Sequence, residues 1–593
     1  MTTIEPDMEH RGSPVARGLQ RPRTATRTRE PRRALNIALP LAFGVFGFGL
    51  RLLAGGLSND HFMHMAWAQQ LLFGELPGRD FIDPGMPLTF GLSAAAQALL
   101  PGPFAEVVLT AAMMGLAAGV TYAVAADLSA SRLAGAFAAL LEIALMPRLY
   151  NYPKILLPPV ALLALGFYAR RPATSRLAIL AATTVIAFLF RHDHGIYAAL
   201  GITTGLLVIH LTDWRSLLRA LSSYGALSIV LLLPYLGFVQ WAGGVAEHFR
   251  EGVEFSKSDE HQLFVSPPEL PYLEGAEHRE WTRDDAAVLL FYAAHALAIA
   301  SIGVLLFRWR QQSRARLAVG AASAAMLVGY IAVILRHPIV ARVPDLGALF
   351  AITGAWTVSE LVRLISADIA FTGAPLGSRI QLGRQARWVR AAVIGAVTGA
   401  AVTAVLFSAW KLGNVGEQID KTDVLRGVRK AEENLADMVR RGTIWPWEDF
   451  WPTSGVMPDA IRYLNACTAP SDEVLVTWNA PEYYFFARRK FGSGLALFLP
   501  PRAFTTARDQ QRMLSRLRHQ HVPVVMINES RREEFSRAYP LIEAYLQTFY
   551  EPIGQFTIYD GSRISIAVRH DERAAGSWGG EGWPCGFDAR RAH

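Results

Sequence analysis

Eleven apolar runs separated by short polar loops limit this chain to few folds: 34–53, 105–125, 133–149, 155–168, 177–190, 196–211, 218–241, 286–307, 317–335, 346–365 and 391–410. A membrane-crossing helix needs about 20 apolar residues rising roughly 1.5 Å each. In lipid every backbone N–H and C=O must be satisfied within the segment, so runs of this kind form helices. With 52% hydrophobic and 18% charged residues, a wholly soluble enzyme is excluded. The pattern predicts a polytopic α-helical membrane protein of about eleven spans with interfacial helices, followed by an extracytoplasmic C-terminal α/β domain. A twelfth run, 88–100, lies between Pro87 and Pro101. It falls below the roughly 17-residue limit for a span and reads as interfacial or re-entrant.

The net charge of +8 does not imply nucleic acid, because the basic residues sit in blocks between apolar runs. Those blocks are Arg132; Arg170, Arg171 and Arg176; Arg215 and Arg219; Arg308, Arg310, Arg314 and Arg316; and Arg379, Arg384, Arg387 and Arg390. With 88–100 not crossing, all of them fall on the cytoplasmic side, as positive-inside sorting requires. Residues 1–33, rich in Arg, Pro and Thr, read as a disordered basic cytoplasmic tail with no cleavable signal ahead of the first span. The expected location is the cytoplasmic (inner) membrane. Cys467 and Cys585 are too few for a disulfide framework, although one pair can form.

The same count collects the other polar segments on the outer side. They are the first loop 54–87, Arg148 to Lys154, the tetrad Arg191-His192-Asp193-His194, an acidic stretch 242–285 read as an external lid or linker, and Arg336 to Asp345. From 412 to 573 the pattern is that of a soluble α/β domain: helices at 457–467, 506–519 and 530–548, strands at 473–478 and 522–527, and a hairpin of 555–559 with 563–568. The Gly-rich stretch 574–593 reads as a flexible tail.

Asp60, His61 and His64 share the start of a predicted helix, three and four residues apart, with Phe62, Met65, Ala66, Gln69, Leu72 and Phe73 as its apolar stripe. That helix is expected along the membrane surface. Asp60 either works chemically or merely caps the helix, and the spacing supports both. The three residues either hold a divalent metal or form a hydrogen-bonded polar face. In 74–87 the Gly and Pro content marks a tightly turned loop, in which Asp83 reads as structural and Arg79 and Asp80 as either a shape-holding pair or substrate contacts. Glu142, inside a run near its outer end, either snorkels or pairs with Arg51 or Arg148. Arg191, His192, Asp193, His194, Arg336, Arg342, Lys154 and Asp345 sit at outer mouths. Their cations suit phosphate oxygens, with interfacial anchoring as the alternative.

The segment Asp60 … Gly74-Glu75-Leu76-Pro77 … Arg79-Asp80-Phe81 … Asp83-Pro84 … Pro87-Leu88 resembles the first external loop of polyprenyl-phosphate-dependent glycosyltransferases of the C-type fold, among them the protein O-mannosyltransferases and lipid A aminoarabinose transferases. The resemblance implies a polyprenyl-phosphate sugar donor, a glycan, lipid or protein acceptor outside the membrane, and Asp60 as the base or acceptor-orienting group. His61 stands where many relatives carry a second acid. The resemblance extends by topology alone to Arg191, Asp193, Arg336 and Arg342. A lipid-linked glycan flippase and a non-catalytic envelope assembly protein are the competing readings. The first needs charges reachable from both faces, and the second leaves the polar mouth without a role.

Overall fold

The computed structural model describes residues 30–257, 267–270, 280–366, 384–448, 458–500, 503–558, 560–580 and 582–587. Residues 1–29 of the basic tail, much of the 242–285 segment, Arg379, Met457, Tyr559 and the last six residues lie outside them.

Each apolar run forms a helix. In chain order the membrane part is α1 (Glu30–Leu53), α2 (Asn59–Leu72), α3 (Pro87–Leu99), α4 (Pro103–Ser129), α5 (Arg132–Ala144), α6 (Tyr152–Arg170), α7 (Thr174–Phe190), α8 (His192–His210), α9 (Trp214–Ala242), α10 (Val245–Lys257), α11 (Arg283–Arg308), α12 (Arg314–Ile334), α13 (Ile339–Arg342), α14 (Gly347–Ser366) and α15 (Arg384–Leu412). Among the described residues eight helices are long and apolar enough to cross a membrane, and α7 is a shorter apolar helix. This is a multi-pass membrane protein. The 88–100 run is the 13-residue helix α3, held between Pro87 at its first turn and Leu100, as its length predicts.

Small residues set how closely the helices approach. A Cβ on Gly115 of α4 would lie 2.6 Å from the Gly44 carbonyl oxygen of α1. Backbones this close gain packing that lipid cannot supply by hydrophobic exclusion. At the end of α1 Arg51 donates to Met146 Sδ at 3.1 Å and to the Pro147 carbonyl, and Arg148 donates to Tyr150, so among the described residues neither arginine pairs with Glu142. Glu142 is buried, and its Oε2 has no hydrogen-bond partner among the described residues.

Past α15 come α16 (Val415–Lys421), α17 (Val428–Thr443) and the C-terminal domain: α18 (Pro458–Cys467), α19 (Pro481–Ala487), α20 (Ala507–His519), α21 (Arg532–Ala538) and α22 (Pro540–Phe549). Its strands β1 (Glu473–Val476), β2 (Lys490–Phe491), β3 (Val524–Asn528), β4 (Tyr550–Thr557) and β5 (Arg563–Arg569) form one sheet in the order β2-β1-β3-β5-β4. The pairs β2–β1 and β1–β3 are parallel; β3–β5 and β5–β4 are antiparallel. The helix expected over 530–548 is broken in two. Pro540 has no N–H to donate and holds Tyr539 out of the helical region, at φ −125° and ψ 56°. Within the expected flexible tail, the described residues include a hairpin of β6 (Ala574–Trp578) and β7 (Trp583–Phe587). A disulfide between Cys467 and Cys585 fastens it to α18, and Tyr463 donates to the Pro584 carbonyl at 2.8 Å.

The domain docks on the loop 54–87 and its helix α2. Helix α2 does not lay its apolar stripe on lipid: Phe62, Met65, Ala66 and Trp67 join a core with Tyr483, Phe485 and Phe486 of α19. Burying a Phe or Met side chain contributes roughly 1.5–3 kcal/mol. Gln69 and Gln70 donate to the Phe485 and Arg489 carbonyls at 3.2 Å, which fixes the register.

Candidate active site

A cavity of about 990 Å³ opens where one end of the membrane helices meets the C-terminal domain. Five elements bring polar side chains to it. Asp60 and His64 come from α2. Arg148, Tyr150 and Asn151 come from the turn before α6, and Lys154 from the first turn of that helix. The extended residue Arg191, at φ −168° and ψ 133°, ends α7 and starts α8, so that the Arg191-His192-Asp193-His194 tetrad faces inward. Arg336 and Arg342 come from the segment between α12 and α14. Phe249, Val253 and Phe255 of α10 and Asn479, Leu497 and Leu499 of the domain form the opposite wall.

Asp60 lies in the first turn of α2, but among the described residues its carboxylate accepts no hydrogen bond, so it does not cap the helix. Its charge acts on Arg148 and Tyr150 across the cavity. Arg148 donates to the Tyr150 hydroxyl at 2.5 Å. Lys154 is 5% exposed and holds Asp345 at 2.9 Å, while Asn151 donates to the other Asp345 oxygen at 2.8 Å. Arg191 meets Asp193 at 2.8 Å, with His194 3.4 Å from that carboxylate. Arg148, Lys154, Arg191, Arg336 and Arg342 thus face three carboxylates, Asp60, Asp193 and the buried Asp345. The basin is cationic, as phosphate binding requires.

The loop 74–87 positions this wall. Asp83 accepts from the Gly85 and Met86 N–H groups at 2.8 and 3.0 Å, and Gly85, at φ 91°, accepts from the His192 N–H at 3.2 Å. A Cβ on Gly85 would lie 2.6 Å from His192 Nδ1, so only glycine fits. His192 meets the Tyr235 hydroxyl at 3.2 Å, which in turn meets His248 of α10 at 2.8 Å. Burial pushes Asp83 up and His248 down from their ordinary values, each opposed by the other's charge.

Not every candidate reaches the cavity. Arg79 and Asp80 pair with one another at 2.6 Å on the loop's outer face, and the Arg79 carbonyl accepts from Arg516 at 2.9 Å. They hold the loop on the domain. His61 is 1% exposed and turns to Glu106 of α4, 3.8 Å away, while His64 Nδ1 is 3.5 Å from the same oxygen. Ser93 donates to the other Glu106 oxygen at 2.6 Å. Burial lowers the His61 pKa, opposed by the adjacent Glu106. Among the described residues no three His, Cys, Asp or Glu side chains converge as a metal site. Sequence reasoning gave no site role to Arg148, Tyr150 or Glu106. The polar run 148–154 at an outer mouth was the available sign for the first two, and an acid three residues after Pro103 for the third.

No family model and no curated protein matches the chain. Among solved structures it is similar to ArnT from Cupriavidus metallidurans in the apo state. That likeness covers 91% of this chain and 98% of the other at 15% identity, with a TM-score of 0.43. Likeness of that degree leaves the activity to be argued from the cavity itself.

Proposed function

We propose that the protein is a membrane glycosyltransferase that moves one sugar from a polyprenyl-phosphate-linked donor to an acceptor outside the cytoplasmic membrane, with inversion. The observation that carries this is Asp60, a carboxylate without hydrogen-bond partners among the described residues, facing a cluster of cations in a cavity at one end of the membrane helices. The acceptor oxygen attacks the anomeric carbon, the bond from that carbon to the phosphate oxygen breaks, and Asp60 takes the acceptor proton. The polyprenyl phosphate leaves with the bonding pair. Its charge needs stabilisation more than protonation, which suits Arg148, Arg191 and Arg342, with His192 and His194 beside them. Lys154 adds an ammonium already held by Asp345.

The apolar wall contributed by α10 and Leu497 and Leu499 suits the exclusion of water from the reacting carbon. The Cys467–Cys585 bond supports an oxidising, extracytoplasmic side for the domain, in agreement with the arginine-rich loops lying inside. The test is release of free polyprenyl phosphate from a radiolabelled polyprenyl-phosphate sugar by purified protein. Asp60→Asn at normal protein level should abolish it, and near-normal turnover would reject the role.

A further inference from the structure

The segment from α16 to α17 and the two residues after it carry large apolar side chains that the other described residues leave exposed, Trp445 only in part because Arg488 and Trp447 lie against its ring. Leu425 is 76% exposed, Val428 74% and Val424 50%, all at the tip before α17; Ile444 is 61% and Trp445 41% exposed at its far end. Exposed apolar surface is unfavourable in water by roughly 25 cal/mol per Å², and such patches mark interaction sites. The middle of α17 is accounted for, because Leu435, Met438 and Val439 pack on the core shared with α2 and the domain.

Both ends of this segment are tied to the outer ends of membrane helices. Arg283, at the start of α11, donates to the Leu412 carbonyl at 3.1 Å, and a Cβ on the next residue, Gly413, would collide with the Ala144 carbonyl at the end of α5. At the other end Gly442 packs on Phe104, in the first turn of α4. The side chain of Asn434 donates to the Lys421 carbonyl at 2.7 Å and holds α16 and α17 together. The segment therefore runs from the exit of α15 to the start of α4, at the level where hydrocarbon ends. The segment follows directly on α15, on which Phe407 and Trp410 are about half exposed. Beside the tip Arg426 pairs with Asp423, and Arg429 and Lys430 both pair with Glu433, so the charged groups there largely neutralise one another.

We propose that Val424, Leu425 and Val428, with Ile444 and Trp445, form two wedges that insert into the outer-leaflet phospholipid interface and hold the C-terminal domain at a fixed height over the cavity. The occupant is the bilayer, because both ends of the segment are fastened to the ends of membrane-crossing helices, α15 and α11 at one end and α4 at the other. Trp445 suits this position, since tryptophan concentrates at membrane–water boundaries. This inference does not depend on the catalytic reading.

The test uses the full-length protein in nanodiscs of phosphatidylethanolamine and phosphatidylglycerol, with an environment-sensitive fluorophore on Leu425→Cys and, separately, on Glu533→Cys as a solvent-facing control. The native cysteines are bonded to one another and do not label. Nitroxide lipids labelled near the headgroup should remove about half or more of the emission at 425 and little at 533. Emission at 425 that matches the control in both wavelength and quenching would overturn the proposal. So would blue-shifted emission at 425 that the nitroxide lipids do not quench, which would indicate a protein contact. A triple variant, Val424→Ser, Leu425→Ser and Val428→Ser, read by a fluorophore on Trp445→Cys, checks whether each wedge needs the other. Equal quenching in the triple variant and its parent would show that the 424–428 tip does not help hold the domain on lipid.

Discussion

Removing Asp345 should separate the structural from the chemical role of Lys154. In Asp345→Ala the Lys154 ammonium, 5% exposed, loses its partner at 2.9 Å, and the Asn151 amide loses its acceptor at 2.8 Å. Breaking a buried ion pair from one side costs about 3–5 kcal/mol, because the remaining charge stays desolvated. Replacing both partners with apolar groups of similar volume is close to neutral, so Lys154→Met with Asp345→Leu should recover most of that loss. Unfolding in mixed micelles with increasing SDS reads the stabilities, and binding of a polyprenyl-phosphate sugar reads the chemistry. The expected result is an unstable single variant and a stable double variant that binds donor more weakly than wild type. A single variant within about 1 kcal/mol of wild type would refute the buried-pair argument. Unchanged donor affinity in the double variant would remove Lys154 from the site.

Arg191→Ala should weaken donor binding by roughly 10- to 100-fold, the loss of a hydrogen bond to a charged group worth about 1.5–3 kcal/mol, and unchanged affinity by equilibrium titration would exclude it. Glu247 and Glu251 of α10 pair with Arg508 and Arg512, so Glu247→Ala with Glu251→Ala should speed hydrogen exchange across Val245–Lys257 while leaving the membrane helices protected. Unaltered exchange there would mean that the salt bridges do not hold this helix. The hydrogen bond that His521 donates to Asp472 raises the imidazole to about 9, with Glu572 adding to the effect. Because the folded-state pKa is the higher one, this stabilisation is complete below about pH 6.5 and is lost as pH rises toward 9. Thermal unfolding should therefore fall more steeply over that range in wild type than in His521→Gln, and parallel curves would count against the pairing.

Composition and charge pattern made the membrane helices legible, since 20-residue apolar runs leave helix as the one backbone solution in lipid. They also placed Asp60, His64, Lys154, Arg342 and the 191–194 tetrad on one side, and the structure lines a single cavity with all of them. What periodicity does not carry is the identity of a partner. The stripe of α2 is as apolar as a lipid-facing one, yet it packs on α19. His61 is adjacent in sequence to Asp60 but turns away to Glu106, an acid inside a different apolar run. Ala574–Trp578 has little intrinsic strand preference, and its hairpin is held by a disulfide spanning 118 residues that local reading does not see.

The measurement closest to the central claim is a structure with a polyprenyl-phosphate sugar bound. The phosphate should lie against Arg148, Arg191 and Arg342, with Asp60 on the opposite face of the sugar ring from the departing oxygen. A phosphate held outside this cavity, or Asp60 on the leaving-group side, would contradict the mechanism.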